Sequence, residues 1–273
     1  MAFVLACRKN AVPVIEVQHG VQGEMHPAYA AWPSPQDGNA HMLLPDFFWV
    51  WSEWEASVIG RWASGTSHHT IIGGNPWNEI WSDGSRWGGV GEALLSARTL
   101  KDRSKGKPIV LVTLQYGFAP EQQLLPLAQL MRLASSEMAF WVRLHPSMHM
   151  RRAEIRELLA SSGEFELDYA TDIPLPALLQ YADVHLTHSS SSVIEAAQAG
   201  VPSVLTATYG AEIFYPLLES GVARLETGNA QAVASALINM AAQRHSRRSN
   251  VYGSNEQLKK CFQFIYSTNQ SNN

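Results

Sequence analysis

Four consecutive serines at residues 189–192 carry the clearest chemical signal in this sequence. A short β-prone segment, Val184–Thr187, precedes them, and residues 193–199 can form two turns of helix. Serine is a preferred N-cap residue, and hydroxyls beside the free N–H groups of a helix start can bind an anion, most readily a phosphate. One cap requires one serine, so the run favours a ligand site. The structural alternative is a capping box of Ser192 with Glu195.

The residues that follow the predicted helix at 193–199 complete a strand–helix–strand unit. Gly200 suits the left-handed position that ends a helix, and Pro202 suits the first residue of a strand. Such a unit implies parallel strands joined by a right-handed crossover. Because ligands of open parallel sheets lie beyond the carboxyl ends of the strands, we expect the serine run to face a ligand.

Groups of residues that include polar side chains follow three predicted strands in the second half of the chain. They are Gln115, Tyr116 and Gly117 after the first strand, Arg143, His145 and Pro146 at the second, and His188, Ser189, Ser190 and Ser191 at the third. If these strands are neighbours, the side chains converge on one crevice. Arg143 is a charge within an apolar strand and needs a partner, either a bound phosphate or a helix carboxylate. His145 could donate to a phosphate or a ribose.

A comparable loop occurs in the first half. The β-branched segment 12–17 ends at Gln18, His19 and Gly20, and polar residues with a glycine after a buried strand are typical of a ligand-facing loop. His19 is either a general base or hydroxyl partner, or a histidine satisfied by nearby backbone; both interpretations stay open.

Strands and helices alternate along the chain, which predicts an α/β protein with two Rossmann-like domains and parallel sheets, the N-terminal one incomplete. We expect a partial N-terminal domain at 1–90, a linker at 91–107 with a helix near 92–100, a C-terminal domain at 108–254, and a final helix and tail at 255–273.

Composition narrows the class of protein. Among 273 residues, 46% are apolar and 16% charged, as in a globular protein, and the net charge of −4 argues against a general role with nucleic acid. Cys7 and Cys261 have no metal or disulfide spacing, which favours a reducing compartment. No apolar run is long enough to span a bilayer. We expect a cytoplasmic protein, with peripheral attachment to the inner face of the membrane left open.

Two segments resemble a known family. Arg143-Leu144-His145-Pro146, and the stretch from His188 to Pro202, resemble the C-terminal nucleotide-sugar domain of two-domain (GT-B) glycosyltransferases. The similarity is to bacterial capsule, lipopolysaccharide and teichoic-acid transferases, several of which use CMP- or CDP-activated donors through an HP motif and a serine motif. Gln18-His19-Gly20 and Gly73-Gly74-Asn75-Pro76 resemble the end of the N-terminal domain in that group.

The resemblance implies roles for several residues. His145 and Ser189 to Ser191 would hold the donor phosphates, Glu195 would contact ribose or sugar hydroxyls, and His19 would be a base on the acceptor side. It implies a metal-independent glycosyltransferase that uses a nucleotide sugar as substrate, requires no cofactor, and acts on a glycan or lipid-linked acceptor in surface polysaccharide biosynthesis. The sequence has no Asp-x-Asp metal motif, which agrees.

Two alternatives stay open. One is another enzyme of the same fold, a nucleotide-sugar 2-epimerase or a CDP-glycerol glycerophosphotransferase-like enzyme. The other is a chain that binds a nucleotide sugar or a partner subunit without turnover. The second follows from the expectation that the N-terminal domain is incomplete, in which case a partner segment would supply its first part.

Overall fold

A computed structural model describes residues 2–32, 39–82 and 88–243. The chain divides into two compact units between Glu79 and Ile80. Both units contain parallel sheets with helices, which confirms the predicted α/β class with Rossmann-like parallel sheets. The helix and tail predicted at 255–273 lie outside the described residues. No helix within the described ranges combines the length and apolarity needed to cross a membrane.

The first unit has a three-stranded parallel sheet in the order β1-β2-β3. Its elements are α1 (Ala2–Lys9), β1 (Ile15–Val17), β2 (Phe47–Val50), α2 (Glu53–Ala63) and β3 (His69–Ile72), with a 3-10 helix at Asn39–Leu43, and α3 (Pro76–Ser82) begins in this unit and ends in the second. β2 is buried at every residue, as its run of Phe, Trp and Val predicts. Ser52 caps α2, because its hydroxyl accepts from the Trp54 N–H.

The second unit has a six-stranded parallel sheet in the order β6-β5-β4-β7-β8-β9. The strands are β4 (Ile109–Thr113), β5 (Ala139–Arg143), β6 (Phe165–Glu166), β7 (Val184–Thr187), β8 (Ser203–Leu205) and β9 (Ala223–Leu225). The chain builds outward from β4 through β6, then returns to the other side of β4 and builds outward through β9. The direction reverses between β4 and β7, and ligands of such sheets bind at this switch point.

Helices cover both faces of this sheet. They are α4 (Val90–Arg103), α5 (Pro120–Ala134), α6 (Arg152–Leu159), α7 (Asp168–Asp172), α8 (Leu175–Leu179), α9 (Ser192–Gln198), α10 (Thr208–Ile213), α11 (Tyr215–Glu219) and α12 (Ala230–Gln243), with 3-10 helices at Pro146–Arg151 and Ala160–Ser162. α5, α6 and α12 share a core with Val110 and Val112, whereas α4, α8 and α9 share one with Ile109 and Leu111. β4 is therefore buried on both faces, as its apolar pattern predicts.

Two helical features differ from the expectations. The helix predicted near 92–100 is present as α4, but the segment 91–107 is not a linker, because Ala97 and Leu100 of α4 are buried in the core of the second unit. α3, α7 and α10 were not predicted; α7 has five residues, too few for a periodic apolar pattern to show. Gly200 does adopt the predicted left-handed conformation, with φ 69° after α9.

Candidate functional site

The loops that follow β4 and β7 are joined at the switch point. The side-chain oxygen of Gln115 accepts from the Ser189 N–H at 2.6 Å, and its amide nitrogen donates to the Ser189 hydroxyl at 3.3 Å. Gln123 of α5 holds the backbone of Gln115 from behind, through hydrogen bonds of 2.8 and 3.1 Å. The two strand ends therefore converge as the sequence predicted, with Gln115 as a clamp between them.

The serine run is pressed closely against α10. A Cβ atom on Gly210 would lie 2.7 Å from the His188 carbonyl oxygen and 3.2 Å from the Ser189 Cβ, so only glycine allows this approach. The Ser190 hydroxyl accepts from the Ser192 N–H at 3.4 Å, a long and weak contact. Ser191 occupies the N-cap position of α9 without a side-chain capping bond. The hydroxyls of Ser190 and Ser191 therefore lie at the carboxyl edge of the sheet with capacity for a ligand.

Ser192 has a different role from the other serines. Its hydroxyl lies 2.9 Å from the Thr113 hydroxyl and 3.2 Å from His185 Nε2, and all three residues are buried. His185 Nδ1 lies 3.0 Å from the Ser203 hydroxyl. The capping box of Ser192 with Glu195 is therefore wrong, because the Ser192 side chain faces the sheet and not the backbone of α9. The network ties the start of α9 to β4, β7 and β8.

His185 is the centre of that network. Burial lowers its pKa to about 3, so the imidazole is neutral across the physiological range. Both ring nitrogens contact hydroxyls, which can donate or accept as the neutral ring requires. Neither His185 nor Thr113 was among the predicted site residues. The available signal was a histidine in the middle of an otherwise apolar strand, since a buried polar group must have a partner.

Arg143 finds its partners in the protein backbone. Its guanidinium donates to the carbonyl oxygens of Ala170 at 2.9 Å and Thr171 at 3.0 Å, and to that of Ile173. Carbonyls at the end of a helix are otherwise unbonded and carry partial negative charge, so the end of α7 suits a cation. The structure thus favours neither the phosphate nor a direct carboxylate pair, the two partners that the sequence suggested.

Glu195 and Arg143 influence each other's ionisation. Burial raises the pKa of Glu195 to about 6, and the positive charge of Arg143 acts in the opposite direction. Burial likewise lowers the pKa of Arg143, and the negative charge of Glu195 partly offsets this. Burial therefore makes ionisation of the Glu195 carboxyl group unfavourable, and the nearby positive charge of Arg143 offsets part of this effect.

His145 and Tyr116 lie side by side at the ends of β5 and β4. His145 is exposed, and its Nδ1 accepts from the Ser147 N–H at 3.1 Å, at the start of the 3-10 helix that Pro146 begins. The neutral ring therefore carries its proton on Nε2, which makes that atom a donor. The Tyr116 ring is 6.4 Å from the imidazole at an angle of 30° and is also exposed. Gly117 follows with φ 94°.

His188 is used by the protein at both ring nitrogens. Its Nε2 lies 2.8 Å from the Gln122 carbonyl oxygen, and its Nδ1 lies 2.6 Å from the Thr206 hydroxyl. In an unbroken helix that carbonyl would accept from the N–H of residue 126, which is a proline without one. His188 thus replaces the missing donor. Its side chain, which was predicted to contact substrate, contacts α5 instead. Burial lowers the pKa of His188, which favours the neutral ring.

In the first unit, Gln18 is buried and also bonded to protein groups. Its amide donates to the Gly20 carbonyl at 2.8 Å and to Glu55 at 3.1 Å, and its oxygen accepts from the Trp51 N–H at 2.8 Å. Gln18 therefore joins the ends of β1 and β2 to the start of α2. His19, next to it in the loop after β1, is exposed.

No protein-family model matches this sequence, and no curated protein matches it. Solved structures do match its fold. A UDP-GlcNAc 2-epimerase from Neisseria meningitidis, bound to UDP-GlcNAc, matches with a TM-score of 0.65 and 17% identity over 97% of this chain and 73% of the epimerase. MnaA of S. aureus with UDP matches with a TM-score of 0.64 and 19% identity over 98% and 71% of the two chains.

The wall teichoic acid polymerase TagF is a third similar structure. It matches with a TM-score of 0.57 and 13% identity, over 96% of this chain and 69% of TagF. At these identities the likeness concerns the fold. This chain therefore has the GT-B type of fold, with Rossmann-like units built on parallel sheets.

Proposed function

We propose that the second unit binds a nucleotide sugar at the carboxyl ends of β4, β5 and β7. The observation that carries this proposal is the Gln115–Ser189 clamp, which joins two loops at the switch point of a parallel sheet. Proteins of the same fold have been solved with UDP-GlcNAc and with UDP, which supports a nucleotide ligand here.

In this proposal the phosphates accept hydrogen bonds from side chains that the fold has positioned. The hydroxyls of Ser190 and Ser191 and the Nε2–H of His145 provide these hydrogen bonds, while Ser189 is held in place by Gln115. Donors fixed by the fold stabilise charge that develops on a leaving phosphate without having to reorganise. Glu195 accepts from ribose or sugar hydroxyls, and Arg143 sets the charge around it. His19 of the first unit is the proposed base for the acceptor.

The reaction that we propose is transfer of the sugar to a glycan or lipid-linked acceptor in surface polysaccharide synthesis, without a metal ion or other cofactor. Two related reactions are equally supported by the fold, because the similar structures include 2-epimerases and a teichoic acid polymerase. They are epimerisation of the nucleotide sugar and transfer of glycerol phosphate from CDP-glycerol.

Binding is tested by calorimetry with CMP, CDP and UDP. At least one should bind, and Ser190→Ala should weaken that binding by about tenfold to a hundredfold, since one hydrogen bond to a charged phosphate is lost. Ser235→Ala is the control, because Ser235 is exposed on α12 and makes only a local helix bond. Absence of binding by all three nucleotides, in folded protein, would contradict the proposal.

Product analysis identifies the reaction. The chain is incubated with labelled UDP-GlcNAc or CDP-glycerol, with and without a lipid-linked acceptor. Label transferred to the acceptor supports a transferase, and the group transferred separates sugar from glycerol phosphate. Recovery of the epimerised nucleotide sugar alone would replace transfer by epimerisation. Binding without any product would leave a nucleotide-sugar-binding chain that does not turn over.

A further inference from the structure

A cavity lies on the face of the six-stranded sheet opposite α9. It has a volume of about 190 Å³ and is walled by α5, α12 and the ends of β4 and β7. Its apolar walls include Leu127, Leu130, Leu186 and Val233, all part of the core on the face opposite α9. An apolar cavity of about 150 Å³ can accommodate benzene, so this one has room for a six-membered ring with a small substituent.

The cavity occurs where α5 lacks a regular hydrogen bond. Gln122, Pro126 and His188 all line it, and they are the residues at which a histidine replaces the missing backbone donor. His188 is in turn fixed by Thr206, which also lines the cavity. Hydrogen bonds from two strand ends therefore hold this wall, so a ligand would meet a site that is already formed.

The rim of the cavity accepts hydrogen bonds. Glu226 lines it, with a side chain only 19% exposed. One carboxylate oxygen accepts from the Gly228 N–H at 3.1 Å, and the other lies 3.3 Å from the half-exposed Arg224. A carboxylate has about four acceptor positions, so Glu226 can still accept from a ligand. Its negative charge, by contrast, disfavours an anion.

We propose that this cavity is a binding site for a compact, mostly apolar molecule of about eight non-hydrogen atoms that carries one hydrogen-bond donor. The apolar part lies among Leu127, Leu130 and Val233, and the donor faces Glu226. The site is separate from the nucleotide site, because the cavity and the helix that follows the serine run occupy opposite faces of the sheet.

Three probes of similar shape test the proposal: toluene, benzyl alcohol and benzoate. Each is titrated into full-length protein with labelled Leu and Val methyl groups, without nucleotide. Benzyl alcohol should shift the methyl signals of Leu127, Leu130 and Val233 and leave Leu100, in the opposite core, unchanged. It should bind about fivefold more tightly than toluene, the effect of one hydrogen bond, and benzoate should not bind.

Filled-cavity variants provide the second arm. Val233→Phe should abolish the shifts, and Ala230→Leu serves the same purpose if the first variant does not fold. Ser235→Phe, which adds the same ring on the exposed side of α12, should bind like the wild type. The proposal is overturned if benzyl alcohol leaves the cavity methyls unchanged, or if benzoate binds as well as benzyl alcohol. Displacement of the probe by CDP or UDP would also overturn it, since the cavity would then belong to the nucleotide site. A failure of nucleotide binding leaves the probe result unaffected.

Discussion

Replacement of Glu195 by glutamine should make the protein more stable at neutral pH. Burial raises the pKa of Glu195 from 4.5 to about 6. The folded state therefore holds the proton more strongly than the unfolded state, and the stability associated with this group is highest below pH 4.5 and falls as the pH rises through 6. A difference of 1.5 pKa units corresponds to about 2 kcal/mol, an upper value for a partly buried group.

Glutamine resembles protonated glutamic acid in shape and carries no charge, so it avoids the unfavourable free energy of ionising a buried carboxyl group. Glu195→Gln should raise the free energy of unfolding by about 1–2 kcal/mol at pH 8, or a few degrees in melting temperature, and by little at pH 4. Thermal and urea denaturation at both pH values measure the effect. Glu137→Gln is the control, because Glu137 is exposed at the surface of the same unit.

The same variant also tests the proposed contact with the nucleotide. If Glu195 accepts from ribose or sugar hydroxyls, removing its charge should weaken nucleotide binding about tenfold or more, although the fold is more stable. A variant that is less stable at pH 8 would refute the environment that we describe for this carboxylate. A variant that is more stable with unchanged affinity would refute only its contact with the ligand.

Three further predictions concern the second unit. The free energy of unfolding should fall by about 2 kcal/mol between pH 7 and pH 5 because of His185. Its pKa falls from 6.5 to about 3 on folding, so the stability that the neutral ring provides is lost as the pH falls below 6.5. His185→Gln should therefore show a flatter pH dependence of urea unfolding. Gly210→Ala should displace the serine loop and weaken nucleotide binding more than tenfold in calorimetry. Gly91→Ala, at an open position of α4, is the control and should raise the free energy of unfolding by about 0.5–1 kcal/mol. Equal nucleotide affinity in the two variants would contradict the close approach of Gly210 to the serine loop. His145→Ala should weaken binding by about tenfold to a hundredfold with an unchanged melting temperature, since it removes one hydrogen bond to a charged phosphate; a large loss of stability would indicate that this exposed ring is structural.

The strands were predictable because each is a short apolar run bounded by turn residues. β4 is a clear case: its five residues are buried on both faces, and the sequence shows an uninterrupted apolar run up to Thr113. The switch point was not predictable in the same way. It depends on β7 pairing with β4 and not with β6, and no local pattern specifies which strand lies beside which.

The buried network shows the same limit at the level of side chains. A histidine in an apolar strand signals that a partner exists, but the partner is set by register. His185 lies opposite Ser203 in the pairing of β7 with β8 and opposite Leu111 in the pairing with β4. The hydroxyls that satisfy it come from residues 72 and 18 positions away in the sequence. The four serines were therefore predictable as site residues, whereas His185, which holds Ser192 in place, was not.

The predicted site residues can be separated by whether the protein already uses their hydrogen-bonding groups. Gln18, Gln115, Arg143 and His188 were expected to contact substrate, and each is bonded to groups from other elements. Such a side chain is well suited to hold a loop in place, since a new ligand contact would have to break an existing bond. The side chains of Ser190 and His145 each accept a hydrogen bond from a nearby backbone N–H and keep a donor for a ligand. A polar residue at a strand end is therefore a weak guide to binding by itself, and the stronger criterion is a donor or acceptor that the fold has positioned without using.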